Sequence, residues 1–140
     1  MKTLYTAEAL ATGEGRDGHG RSSDGKLDLD LAIPKEMGGS GNGTNPEQLF
    51  AIGYAACFHS ALRLVAGQAK ADVTDSAVGA RVSIGQIDNG GFGLAVELEV
   101  TLPNLDHDTA VELTEKAHQV CPYSNATRGN IEVKLVVTDD

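Results

Sequence analysis

The stretch Thr44-Asn45-Pro46-Glu47-Gln48-Leu49-Phe50-Ala51-Ile52-Gly53-Tyr54-Ala55-Ala56-Cys57-Phe58 decides the fold. Pro46 suits the first position of a helix, with Asn45 or Thr44 as its cap. The helix runs on through Leu62, Leu64 and Val65 to about Gln68, and its apolar residues face nearly every direction. Such a helix must be buried on all sides. A single sheet covers one side only, and a second copy of the chain is the simplest cover for the other. An obligate homodimer is therefore expected.

Working outward, period-two alternation marks the strands. It is loose from Leu4 to Ala11 and clean in Leu27, Leu29, Leu31 and Ile33. It recurs in Val78, Ala80, Val82 and Ile84, is clearest from Phe92 to Leu102, and closes the chain from Ile131 to Val137. Alternation of this kind gives strands with one buried face, hence a largely antiparallel sheet. Asp88-Asn89-Gly90-Gly91 predicts a hairpin turn, and Arg21 to Ser23 a short sixth strand. A second helix is predicted from about Asp108 to Val120, with Ala110, Leu113, Thr114, Ala117 and Val120 as its buried stripe. Pro122 interrupts it, a short turn follows, and Gly129 suits a left-handed cap. Cys121 thus falls at a helix junction on the core side.

The chain has 140 residues, the length of one domain spanning 1–140. Twenty acidic residues against 11 basic ones leave a net charge of -9. That excludes nucleic acid and anionic membrane surfaces as expected partners, since both need a basic patch. The first residues lack the apolar core of a secretory signal, and no apolar run is read as reaching the ~20 residues of a membrane span. A cytoplasmic location is expected. Structural disulfides are rare there, so the chain's two cysteines, Cys57 and Cys121, point to catalysis or redox sensing. The alternative is two inert buried thiols, since cysteine is among the most buried residue types.

Other motifs are weaker. Gly13-Glu14-Gly15-Arg16-Asp17-Gly18 matches a dinucleotide fingerprint in letters, but turn and strand follow it where a helix is required. The loop Gly38 to Gly43 lacks the Lys-Ser/Thr of a phosphate loop. No histidine pair has the i, i+4 spacing of a helical zinc site, so no metal and no bound cofactor are expected. His118 lies close enough to Cys121 in sequence for a Cys-His pair, but reads more simply as a helix-surface histidine.

Cys57 needs help to react. A free thiol has a pKa near ~8.5, and an apolar helix interior raises it by desolvating the anion. The helix start is about three turns away, too far for its dipole to act. A cation must come from Arg16, Arg21, Arg63, Arg81 or Arg128. Arg63 lies about 120° around the helix from the thiol, and Arg16 sits in a glycine-rich loop.

Thr44 to Phe58 and Val120-Cys121-Pro122-Tyr123-Ser124-Asn125-Ala126-Thr127-Arg128-Gly129-Asn130 resemble the two cysteine motifs of the organic hydroperoxide resistance proteins. These are a branch of the family that includes the osmotically inducible OsmC proteins. Gly15-Arg16-Asp17-Gly18 and Leu27-Asp28-Leu29 are similar to its N-terminal part. The resemblance implies an α+β fold, with antiparallel sheets wrapped around central buried helices in an intertwined homodimer. It also implies a thiol peroxidase that reduces organic and fatty-acid hydroperoxides to alcohols. Cys57 would be the attacking cysteine and Cys121 the resolving one. Arg16 would activate the thiolate, and Glu47 would hold that arginine. A dihydrolipoyl group on a protein partner, such as lipoamide presents, would be the reductant. The chain departs from the family pattern at Glu14, which separates two glycines, so Arg21 is the alternative to Arg16.

On a straight helix Glu47 and Cys57 would lie about 15 Å apart and on different faces. Either the helix breaks near Gly53, or the arginine pair meets a cysteine across the dimer. Two rival functions remain: a disulfide switch or ligand-binding module without turnover, and a Cys-His hydrolase that depends on His118.

Overall fold

In a computed structural model, residues 1–138 are described, and the chain divides into two compact units, Met1–Leu49 and the part from Phe50 onward.

The first unit is a three-stranded antiparallel sheet of β1 (Ala9–Thr12), β2 (His19–Ser22) and β3 (Asp28–Asp30), in that order. A 3-10 turn over Gly15–Asp17 connects β1 to β2, which puts Arg16 at the hairpin tip. The sixth strand expected at Arg21 to Ser23 is β2, displaced toward the N-terminus. The strand expected from Leu4 begins only at Ala9, and every residue of β1 is exposed. A loose alternation is a weak pairing signal. After β3, Leu31 bridges in parallel to Thr44, and Asn45 Oδ1 caps the coming helix by accepting from Gln48 N at 2.9 Å.

That helix, α1 (Pro46–Gln68), has the predicted bounds and shows no break at Gly53. In the second unit it is followed by β4 (Ala77–Gln86), β5 (Phe92–Thr101), α2 (His107–Val120), α3 (Pro122–Thr127) and β6 (Val133–Thr138). β4 and β5 form the expected hairpin, closed by Ile87 N donating to Gly91 O at 3.0 Å. The segment after Pro122 is a short helix rather than a turn, and Gly129 beyond it has φ of 79°, as the left-handed cap requires.

Three of the sheet pairings are antiparallel, but β6 pairs in parallel with β5. Alternation reveals a buried face and not strand direction. Direction is set by the connection, and a crossover carrying α2 and α3 returns the chain the same way round. The core gathers Tyr54, Phe58, Leu62 and Val65 from α1, Val96, Leu98 and Val100 from β5, and Leu113, Ala117 and Cys121 from the α2 region.

One expectation fails in α1. Its 23 residues include an 18-residue stretch of mean hydropathy 1.5, long and apolar enough to cross a membrane by length and composition. A core helix passes the same test, and here the stripe from Tyr54 to Val65 packs in the core of its unit. The opposite face is open, with Ile52 69 % and Leu64 55 % exposed.

Candidate active site

Two pairs of the predicted residues come together. In the first unit, Arg16 Nη1 and Nη2 donate to Glu47 Oε2 and Oε1 at 2.9 and 2.7 Å. This two-pronged match of guanidinium and carboxylate is the strong form of the ion pair. Glu47 is well covered, its side chain 14 % exposed. The guanidinium hydrogen bonds hold its carboxyl below the usual range, and Glu47 in turn raises Arg16 further. Glu47 pairs with Arg16 and not with Arg21, which is exposed on β2. The extra Glu14 therefore does not shift the pairing.

In the second unit, Cys121 Sγ donates to Cys57 Sγ at 3.7 Å, and both are free thiols. Cys57 lies on α1. Cys121 is fully buried and forms the C-cap of α2 and the N-cap of α3. Its bent backbone, followed by Pro122 at the first position of α3, turns the sulfur toward α1. Burial pushes the Cys57 thiol up, the Tyr123 N–H pulls it back part of the way, and nearby Cys121 pushes it up again. Arg63 is exposed and adds its charge to the burial that lowers His59, burial being the larger cause.

Tyr123 carried no role in the sequence reading. A signal was available, since a proline at the first helical position leaves the next N–H without an intrahelical partner. The Tyr123 ring sits 5.8 Å from Phe50 and 5.6 Å from Tyr54. It packs so close to α1 that a Cβ on Gly53 would lie 2.9 Å from its hydroxyl. The Gly53 position thus serves close packing rather than a helix break. Beside Pro122 and Tyr123 an apolar groove of about 990 Å³ opens, lined also by Phe50, Phe92, Leu94 and Ile131.

His118 is half-buried rather than on the surface, and its Nδ1 lies 2.8 Å from Ser124 Oγ instead of serving a sulfur. Burial, then Arg128, holds it below its ordinary pKa. The Cys-His reading loses its base by this geometry.

Residues 39–136 match the family model described as OsmC-like protein. The organic hydroperoxide resistance protein of Xanthomonas axonopodis pv. citri is 55 % identical over 97 % of this chain and 96 % of its own length. The crystal structure of an organic hydroperoxide resistance protein from Elizabethkingia anophelis has a TM-score of 0.95 at 56 % identity, covering 100 % of both chains. That of OhrB from Bacillus subtilis has a TM-score of 0.88 at 47 % identity, covering 97 % of this chain and 100 % of its own. The α+β fold is shared with these structures. The chain belongs to the OsmC-like family, in its organic hydroperoxide resistance branch.

Proposed function

We propose that this protein is a thiol peroxidase that reduces organic hydroperoxides, fatty-acid hydroperoxides among them, to alcohols. The observation that carries the reading is the 3.7 Å approach of Cys57 and Cys121 Sγ. Relatives named for organic hydroperoxide resistance support the substrate class, and the apolar groove suits a hydrocarbon tail.

The Cys57 thiolate attacks the distal peroxide oxygen. An S–O bond forms, the O–O bond breaks, and the alkoxide takes up a proton and leaves as the alcohol. Cys121 then attacks the sulfenic sulfur. An S–S bond forms, the S–O bond breaks, and hydroxide leaves with the thiol proton as water. A dihydrolipoyl dithiol on a protein partner reopens the disulfide by exchange and ends as its own cyclic disulfide.

The first step needs a thiolate that burial opposes. Arg16, oriented by Glu47, supplies the cation in this proposal, because a guanidinium stays charged and keeps donors beyond the two that Glu47 accepts. The chain works as a homodimer in the same reading. Leu4, Tyr5, Leu10 and Leu27 lie exposed in the first unit, and Ile52 and Leu64 on α1. Exposed apolar surface of this kind marks an interface. Since α1 is unbroken, the arrangement favoured is an arginine pair that serves the cysteines of a second copy.

Thiol counting tests the function. One equivalent of cumene hydroperoxide should consume both thiols and yield one equivalent of cumyl alcohol, and dihydrolipoamide should restore both thiols and sustain turnover. Thiols that survive the peroxide would overturn the reading. Oxidation without steady-state turnover would leave a redox switch in its place.

A further inference from the structure

A hydroxyl cluster beside the cysteine pair ties the three helices of the second unit together. Tyr54, on α1, places its hydroxyl 2.8 Å from Ser124 Oγ and 3.0 Å from Thr127 Oγ1, both on α3. His118, in the last turn of α2, brings Nδ1 to 2.8 Å from the same Ser124 Oγ. Tyr54, Ser124 and Thr127 are all buried. Each hydroxyl has one proton to give. With His118 neutral, the pattern closes when Thr127 donates to Tyr54, Tyr54 to Ser124, and Ser124 to His118, the longer 3.4 Å contact of Thr127 Oγ1 with Ser124 O being the competing use of the Thr127 proton. On the outer side Arg128 donates from Nη1 to His118 O and from Nη2 to Asn125 Oδ1, both at 2.7 Å. The inner cluster and the outer clamp cross the same junction between α2 and α3, and that junction is Cys121.

We infer that Ser124 and Thr127, with Tyr54, are positioning residues for disulfide closure: they hold the Cys121 junction so that its sulfur stays within reach of Cys57. The order of steps rests on the peroxidase reading, whereas the geometry does not. The cluster acts on the second step and not the first. Attack on peroxide uses Cys57, carried on the long helix α1. Closure requires Cys121 Sγ to move from 3.7 Å to a bond of about 2.05 Å. A loosened junction lowers the effective concentration of that thiol steeply. The cluster also explains why α3 bears hydroxyls where a core helix would carry apolar residues: buried hydroxyls persist only when each finds a partner.

The test compares Thr127→Val, which keeps the shape and loses the hydroxyl, with Thr127→Ser, which keeps the hydroxyl, alongside Ser124→Ala. Leu113→Ala, in the core on α2 but outside the cluster, controls for general loosening. With one equivalent of cumene hydroperoxide, Ser124→Ala, whose residue does not line the groove, should lose the Cys57 thiol within about twofold of the wild-type rate. In Thr127→Val, whose residue does line it, closure is read relative to that variant's own rate of thiol loss. Disulfide should then appear about tenfold more slowly, with sulfenic acid trapped by dimedone. Equilibration with dithiothreitol should show an effective molarity lower by about tenfold, which is ~30 mV in potential. Thr127→Ser should match the wild type, and Leu113→Ala should lower Tm without moving either readout. Closure at the wild-type rate in both Thr127→Val and Ser124→Ala would overturn the inference, as would equal slowing in Leu113→Ala. If Ser124→Ala does not fold, the Thr127 pair carries the same decision. If the wild type consumed no peroxide while effective molarity still fell in Thr127→Val, the peroxidase reading would fail and the positioning role would stand.

Discussion

Cys121 Sγ lies 3.7 Å from Cys57 Sγ although 64 residues separate them in the chain. The contact is made by a helix junction. Cys121 ends α2 and begins α3, so its side chain leaves a bent backbone that packs on α1. A buried thiol donating to a second thiol sets up two unlike sulfurs. One meets the Tyr123 N–H, and the other donates to the first.

That asymmetry predicts different outcomes for the two serine variants. Cys57→Ser should abolish peroxide consumption altogether. Cys121→Ser should consume about one equivalent to reach the sulfenic acid and, under excess peroxide, a second as mass spectrometry shows Cys57 advancing to sulfinic acid, without sustained turnover. Normal multiple turnover by either variant would refute the assignment.

Arg16→Ala should slow Cys57 oxidation by at least about tenfold, one factor of ten corresponding to ~1.4 kcal/mol of barrier. Glu47→Gln should produce a smaller loss, because the guanidinium remains but loses its charged anchor. The folded pKa of Glu47 is depressed by Arg16. The stability of their pair is therefore complete above the ordinary glutamate pKa and is lost as pH falls through the lower, folded value. Stopped-flow rates at neutral pH and an acid titration of the Glu47→Gln variant check both statements.

His59 and His118 are held below their ordinary pKa, chiefly by burial. The unfolded chain therefore binds protons that the folded chain refuses. The contribution of these two histidines to stability should fall as pH drops below about 6.5, the unfolded value, toward the folded pKa values. It runs against the opposite contribution of His19, which Asp30 and Asp28 hold above its ordinary value. His118→Gln, which does not titrate, should flatten that dependence. Thermal melts between pH 8 and pH 5 would show it, and an unchanged slope would contradict it.

Gly53→Ala sets two effects against each other. Alanine in a helix interior gains roughly 0.5–1 kcal/mol over glycine. The added Cβ would lie 2.9 Å from the Tyr123 hydroxyl, and overpacking of this kind costs about 1–3 kcal/mol. Because Phe50 and Tyr54 also pack on the Tyr123 ring, the clash should win. A lower urea midpoint and a changed Cys57 alkylation rate are expected.

Ile52→Glu or Leu64→Glu should yield a monomer by sedimentation, since each places a charge on the open face of α1. A wild-type protein that is itself monomeric at micromolar concentration would remove the dimer from the proposal.

The sequence by itself determined a good deal. Capping chemistry and all-round apolarity placed α1 to the residue, and alternation located β4 and β5, because these signals are local and repeat within one element. The motif around Cys57 and Cys121 identified the family for the same reason. Tertiary structure decided what depends on residues far apart in the chain. It set β6 parallel to β5, since a crossover fixes direction where alternation cannot. It chose Arg16 over Arg21 as the partner of Glu47, since only folding shows which guanidinium reaches the carboxylate. It moved His118 from the surface into a hydroxyl cluster with Ser124. That cluster was invisible in the sequence because Tyr54, His118 and Ser124 come from three helices, and hydrogen bonds between helices leave no periodicity to read.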